Sequence, residues 1–115
     1  MNDCIFCKIA NKELPASIVY EDNQIIAFRD INPVAPVHIL VVPKKHISKL
    51  TEIEKEDEIV IGRIYSIIND IVKAEGIDER GFRVIVNCGE EGGQLVKHLH
   101  FHLLGGKHLG AKLCN

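Results

Sequence analysis

The sequence predicts a single α+β domain. Helical patterns and short β-rich runs follow one another in the order helix, strands, helix, strands. No segment repeats or falls into low complexity, and 115 residues leave little room for a second hydrophobic core. Hydrophobic residues make up 46% and charged residues 26%, the balance of a folded globule and not of a disordered chain.

Each element has its own signal. Cys4-Ile-Phe-Cys-Lys-Ile-Ala10 places Ile5 and Ile9 four apart, which predicts a short helix ending before Pro15. Ile18–Tyr20 and Gln24–Arg29 are β-rich runs separated by Glu21-Asp22-Asn23, a hairpin signal with polar turn residues. Val37-His-Ile-Leu-Val-Val42 is apolar on both faces, as a central strand closed by Pro43 should be, and sets His38 among core residues. Thr51-Glu-Ile-Glu54 matches a capping box; Val60, Ile64, Ile67, Ile68 and Ile71 then recur at helical spacing until Gly76. That stripe is the face of a helix laid on a sheet and carries no chemistry. Phe82–Asn87 and Leu99–Leu104 are the last two strands expected.

Charge and composition exclude several functions. The net charge is -2, Lys and Arg are not clustered, and two Tyr, four Phe and no Trp offer little stacking surface, so a nucleic-acid polymer is not an expected partner. No apolar run approaches the roughly 20 residues of a membrane helix. Met1-Asn2-Asp3-Cys4 lacks the basic segment, apolar run and cleavage site of a secretory signal. The expected location is cytoplasmic, where thiols stay reduced, so Cys4, Cys7, Cys88 and Cys114 read as thiols or metal ligands before disulfides.

The chemistry concentrates in His98-Leu-His-Phe-His102, which holds half of the six histidines. In a strand, side chains alternate faces, so the three histidines share one face and Leu99, Phe101 and Leu103 share the core face. The first and third stand roughly 13 Å apart, too far for one zinc with ligand distances of about 2 Å to take all three. Two of them could chelate with help from elsewhere. Upstream, Asn87-Cys-Gly-Glu-Glu-Gly-Gly-Gln94 has glycines that let backbone N–H groups approach an anion, and beside the histidines it reads as a phosphate cradle as well as a surface turn. Cys4-x-x-Cys7 supplies half of a tetrahedral zinc site. A thioredoxin-like redox pair would need βαβ surroundings that are missing here, and two plain reduced thiols on a helix are the remaining alternative.

Gly93-Gln-Leu-Val-Lys-His-Leu-His-Phe-His-Leu-Leu-Gly-Gly106 resembles the signature of the histidine triad (HIT) superfamily, His-x-His-x-His-x-x with apolar x. The resemblance extends through Cys4–Ile9, Ala27–Pro33, Ala35–His38 and Val42–Ile47, and length and the Gly105-Gly106 ending place the chain nearest the Hint branch of nucleoside phosphoramidases. It implies one HIT domain over residues 1–115: an antiparallel sheet with one long and one short N-terminal helix, forming a homodimer. It further implies hydrolysis of a purine nucleoside 5′-phosphoramidate, or a related α-phosphate conjugate, through a nucleotidyl-histidine intermediate. By the same resemblance His100 is the nucleophile, and His102 and His38 bind phosphate oxygens and move protons. Neutral imidazole suits the task near physiological pH.

Asn87 and the backbone of Gly93 and Leu95 correspond to phosphate-binding positions, Asp30 to the residue that holds the ribose hydroxyls, and Ile5, Phe6, Ile9, Phe28 and Ile31 to the apolar slot for the base. Core packing is the rival reading of those five. Some bacterial relatives complete a structural zinc site with residues matching His46 and His98, which gives Cys4, Cys7, His46 and His98 as the ligand set. No organic cofactor is expected. Three positions depart from the pattern. Leu95 stands where Ser is usual, Arg29 where His is frequent, and Lys107–Asn115 lacks the Trp-Pro-Pro-Gly ending that reaches the partner's site. Two other functions compete with the hydrolase: a nucleotide-binding regulatory module with little turnover, and a zinc-binding structural adaptor with little affinity for AMP.

Overall fold

The computed structural model describes residues 3–113, so Cys114 lies outside the described residues. The elements are α1 (Ile5–Ala10), β1 (Ile18–Glu21), β2 (Ile25–Arg29), β3 (Val37–Pro43), α2 (Glu58–Ala74), β4 (Phe82–Ile85) and β5 (Phe101–Gly105). The strands form one antiparallel sheet in the order β1-β2-β3-β5-β4. The expected α+β architecture, with one long helix and a short one near the start, is what the chain adopts.

Strand alternation builds three layers. Ile25, Ala27, Val37, Ile39, Val41, Phe101 and Leu103 point to one face, where Ile64, Ile67, Ile68, Ile71 and Val72 of α2 cover them. Ile26, Phe28, Leu40 and Val42 point to the other, where Phe6 and Ile9 of α1 cover them. The third strand, β3, is buried along its whole length, which is why its sequence shows no polar alternation. α1 reaches only the β2 and β3 side of its face. The adjoining stretch over β5 and β4, with His102, Leu104, Arg83 and Ile85, borders an open cavity.

Three boundaries differ from the sequence-based expectation. The capping box forms one turn later than Thr51/Glu54: Ile53 is extended and packs on the core, and Asp57 instead accepts the Glu54 N–H at 2.9 Å. Lys45 grips the same carboxylate at 2.7 Å, and α2 starts at Glu58. The fourth strand, β4, stops at Ile85, because the chain then turns into the glycine loop that Asn87 ties back on itself by donating to the Gly92 carbonyl at 2.8 Å. Ladder pairing of β5 begins at Phe101. The alternation nevertheless runs back through His98, since Leu99 is in the core under α2 while Phe6 touches both His98 and His100. No helix among the described residues is long and apolar enough to cross a membrane.

Candidate active site and metal centre

Antiparallel pairing brings the histidines of distant segments together. On β3, His38 lies opposite Leu104, and on β5, His102 lies opposite Leu40, so the two imidazoles meet diagonally across the ladder. Their nitrogens, His38 Nε2 and His102 Nδ1, are 3.1 Å apart. His100 stacks edge-on against His102, with ring centroids 4.9 Å apart, and against Phe6 of α1, at 5.0 Å.

The hydrogen bonds fix which nitrogen carries each proton. A carbonyl can only accept, so His100 Nδ1–H donates to the His98 carbonyl at 2.7 Å and leaves Nε2 as a bare lone pair. The Val34 N–H donates to His38 Nδ1 at 3.2 Å, so the proton of neutral His38 is on Nε2. That N–H faces His102 Nδ1 and, 3.4 Å away, Asp30 Oδ2. His102 Nδ1 therefore accepts, and the proton of its neutral ring is on Nε2. Burial pushes all three rings below the ordinary imidazole value; for His102 the neighbouring His100 and His38 add to burial and take it down to about 4. The site thus pairs a bare nucleophilic nitrogen with a neighbouring N–H donor.

Asp30, His38 and His102 also bring three ligand atoms close together. The tautomers oppose a metal there, because the Nε2 of His38 that would face it is protonated. This trio reads as a hydrogen-bonded chain.

The phosphate-cradle residues form a braced loop. Gln94, which the sequence reading passed over, accepts the Gly89 N–H at 2.9 Å and donates to the Ser48 and Val96 carbonyls at 2.7 and 2.9 Å. A glutamine directly before Leu95-Val96 carries no signal of this in sequence. Gly93 has φ +81°, a left-handed conformation that suits glycine, and its N–H donates to the Glu90 carbonyl at 3.0 Å, closing the turn. The side chain of Leu95 is 93% exposed, which leaves only its backbone at this position for a ligand.

The apolar residues divide. Phe6, Ile9 and Phe28 are buried together and behave first as core, with the Phe6 edge turned to His100. Ile31 is 88% exposed and Ile5 is half-exposed, so neither joins that buried group; Ile31 follows Asp30 in a tight turn where Asp30 Oδ1 accepts the Asn32 N–H. Arg29 points to the α2 side of the sheet and pairs bidentately with Glu75, at 2.8 and 3.1 Å, so the residue that replaces a frequent His ties sheet to helix.

Cys4, Cys7, His46 and His98 converge at the start of α1. The Sγ–Nδ1 separations are 3.2 Å (Cys4–His98), 3.3 Å (Cys7–His46) and 3.4 Å (Cys7–His98). Tetrahedral zinc with ordinary Zn–S and Zn–N bonds needs about 3.5 Å between such atoms. His98 Nε2–H donates to the buried Pro43 carbonyl at 2.8 Å, which leaves Nδ1 bare on the thiol side, the outer hydrogen bond that a metal-binding histidine needs. Two soft sulfurs and two imidazoles fit zinc.

Known proteins resemble this chain over nearly its whole length. The HIT domain family matches residues 11–109. The chain is 44% identical over 113 residues to the purine nucleoside phosphoramidase of Escherichia coli K12, covering 98% of this chain and 95% of that protein. It is 46% identical over 105 residues to protein HitA of Neisseria gonorrhoeae, covering 91% and 97%. Among solved structures it resembles a histidine triad protein from Clostridium difficile, with TM-score 0.94, 55% identity and 97% of both chains covered. It also resembles a HIT family hydrolase from Legionella pneumophila, with TM-score 0.93, 44% identity, and 95% and 97% covered. The chain belongs to the HIT domain family.

Proposed function

We propose that this protein hydrolyses purine nucleoside 5′-phosphoramidates, or closely related α-phosphate conjugates, to the nucleoside monophosphate. The observation that carries the proposal is the bare Nε2 of His100, set by the Nδ1–H bond to the His98 carbonyl, beside the braced loop of Asn87 and Gly93. The similarity to a purine nucleoside phosphoramidase supports the substrate class.

In this reading Asp30 accepts from the ribose hydroxyls, the Phe6 and Phe28 edges flank the base, and Ile31 closes on it from the surface. The α-phosphate lies against the backbone of Gly93 and Leu95, with the Leu95 N–H, the second N–H of the Asn87 amide and His102 Nε2–H as its donors, the Gly93 N–H being held by the Glu90 carbonyl. These donors are in place before charge builds on the phosphoryl oxygens, which is what lowers the barrier. His100 Nε2 attacks phosphorus and forms an N–P bond. The P–N bond to the leaving amine breaks, its electron pair goes to the amine nitrogen, and that nitrogen takes a proton by way of the His102–His38 pair. Water then cleaves the nucleotidyl-histidine and returns one proton to the pair.

Cys4, Cys7, His46 and His98 would hold a structural zinc. Four ligands would close such a site and tie α1 to the segment before β5, leaving the reaction to His100. The reduced thiols this requires match a cytoplasmic location. A homodimer is the proposed assembly: β4 is an edge strand, and Phe82 on it and Ile59 and Tyr65 on α2 are exposed apolar residues that a twofold copy would cover.

The test is release of AMP from adenosine 5′-phosphoramidate. His100→Ala should lose about 10³-fold or more, roughly 4 kcal/mol of barrier, while keeping its fold. Wild type that binds AMP but releases none would instead make the protein a binding module.

A further inference from the structure

The cavity that opens beside His38 and His102 continues past the phosphate loop to a lining with a single sign of charge. Its volume is about 410 Å³, and Asn87, His38, His102, Arg83, Lys107 and His108 are among the residues that line it. No Asp or Glu lines it. A second cavity of about 440 Å³ on the far side of Lys107 and His108 adds Arg80, again without a carboxylate. Among the described residues, no carboxylate forms an ion pair with Arg80, Arg83 or Lys107, although six Lys or Arg ion pairs form elsewhere in the chain. In a chain with a net charge of -2, the three unpaired cations Arg80, Arg83 and Lys107, with His108 between them as a further N–H donor, are not a general feature of the surface.

The row is also held in place. Arg83 Nη2 donates to the Gly110 carbonyl at 2.7 Å, and the Gly110 N–H donates to His108 Nδ1 at 3.0 Å. Gly110 has φ +87°, a conformation that suits glycine and lets one residue serve both bonds. The segment Lys107–Gly110 is thereby hooked over β4. The His108 proton is left on Nε2, opposite the nitrogen that Gly110 occupies. This is the stretch in which the chain departs from the resembling family's Trp-Pro-Pro-Gly ending.

We propose that this cationic trough receives the leaving group, and that the preferred substrates are nucleoside phosphoramidates whose amine carries a negatively charged substituent, such as a carboxylate or a phosphonate. The proposal rests on the hydrolase reading above for the position of the α-phosphate. The leaving group departs from a phosphorus held at Asn87 and His102, which are among the residues that line the trough. Arg83 and Lys107, neither paired with a carboxylate, then meet its charge, and preorganised charges of one sign favour an anion without rearrangement.

Three adenosine 5′-phosphoramidates of nearly equal size test this: those of glycine, of aminomethylphosphonate and of glycinamide. Binding to His100→Ala protein measures preference without turnover. The glycine and phosphonate compounds should bind about 10-fold more tightly than the neutral amide, about 1.4 kcal/mol. The gap should shrink with added salt and in Lys107→Gln, whose side chain is exposed and makes no hydrogen bond. A larger gain for one anion over the other identifies whether carboxylate or phosphonate is the better match. Equal or tighter binding of the amide, or a gap untouched by Lys107→Gln, overturns the proposal. Wild-type turnover separates it from the reading it rests on. If no compound releases AMP but the anions still bind more tightly, the hydrolase reading fails and the charge preference stands. If all release AMP at one rate and bind equally, only the charge preference fails.

Discussion

His100, His102 and His38 show how single hydrogen bonds assign chemistry. The His98 carbonyl and the Val34 N–H are both main-chain groups, so apart from proline at Val34 no substitution removes them directly, and the tautomers are a property of the fold. Their burial has a pH consequence. Folded His102 titrates at about 4 and an unfolded histidine at 6.5, so between these values the unfolded chain takes up protons that the folded chain refuses. The stability conferred by the neutral ring is complete above about pH 6.5 and is lost as pH falls toward 4. Thermal melts should show Tm falling over that window, and His102→Gln should flatten the slope; a variant with the wild-type slope would contradict the assignment. Triad alternation and the sequence of His38 among core residues were legible from residue types alone. The tautomers were not, since Val34 and His98 act through backbone atoms that any residue would supply.

At the scale of elements, the loop from Asn87 to Gln94 is the least forgiving part of the site. A Cβ on Gly92 would run into the Cys88 carbonyl and nitrogen, which are backbone atoms that cannot swing aside. Gly92→Ala should therefore displace the loop and weaken AMP binding by about 10-fold or more with a smaller effect on Tm, read by calorimetric titration and by melting; unchanged binding would show that the loop does not hold the phosphate. The glycines made this loop visible in the sequence as a candidate anion cradle. The brace, Gln94, was invisible because its partners at Ser48 and Val96 are brought near only by the fold. The capping box was misplaced for a related reason: Asp57 is shared with Lys45, a partner from before the helix, and Ile53 is drawn to the core.

For the molecule as a whole, α1 is a six-residue helix that is too short to be stable by itself and that covers only part of one sheet face. The four residues proposed to hold zinc, two of them on or next to it, would supply the missing constraint. The purified protein should carry one zinc per chain by native mass spectrometry, and chelation should lower Tm by about 10 °C or more. Metal-free protein with the same Tm would show that packing of Phe6 and Ile9 suffices. Half of that site, Cys4 and Cys7, was readable as a spacing. Its other half, His46 and His98, came only through family resemblance, because a loop residue and a buried strand-entry residue share no local pattern.

The central claim is that His100 Nε2 becomes bonded to phosphorus. The direct measurement is to mix protein with adenosine 5′-phosphoramidate, quench in alkali, which preserves an N–P bond, and locate any nucleotidyl group by peptide mass spectrometry. The expected result is one nucleotidyl group on the peptide His98–His102, fragmenting at His100, absent from His100→Ala and gained transiently during turnover. An adduct at His102 or His38, or active turnover with no adduct at any histidine, would contradict it.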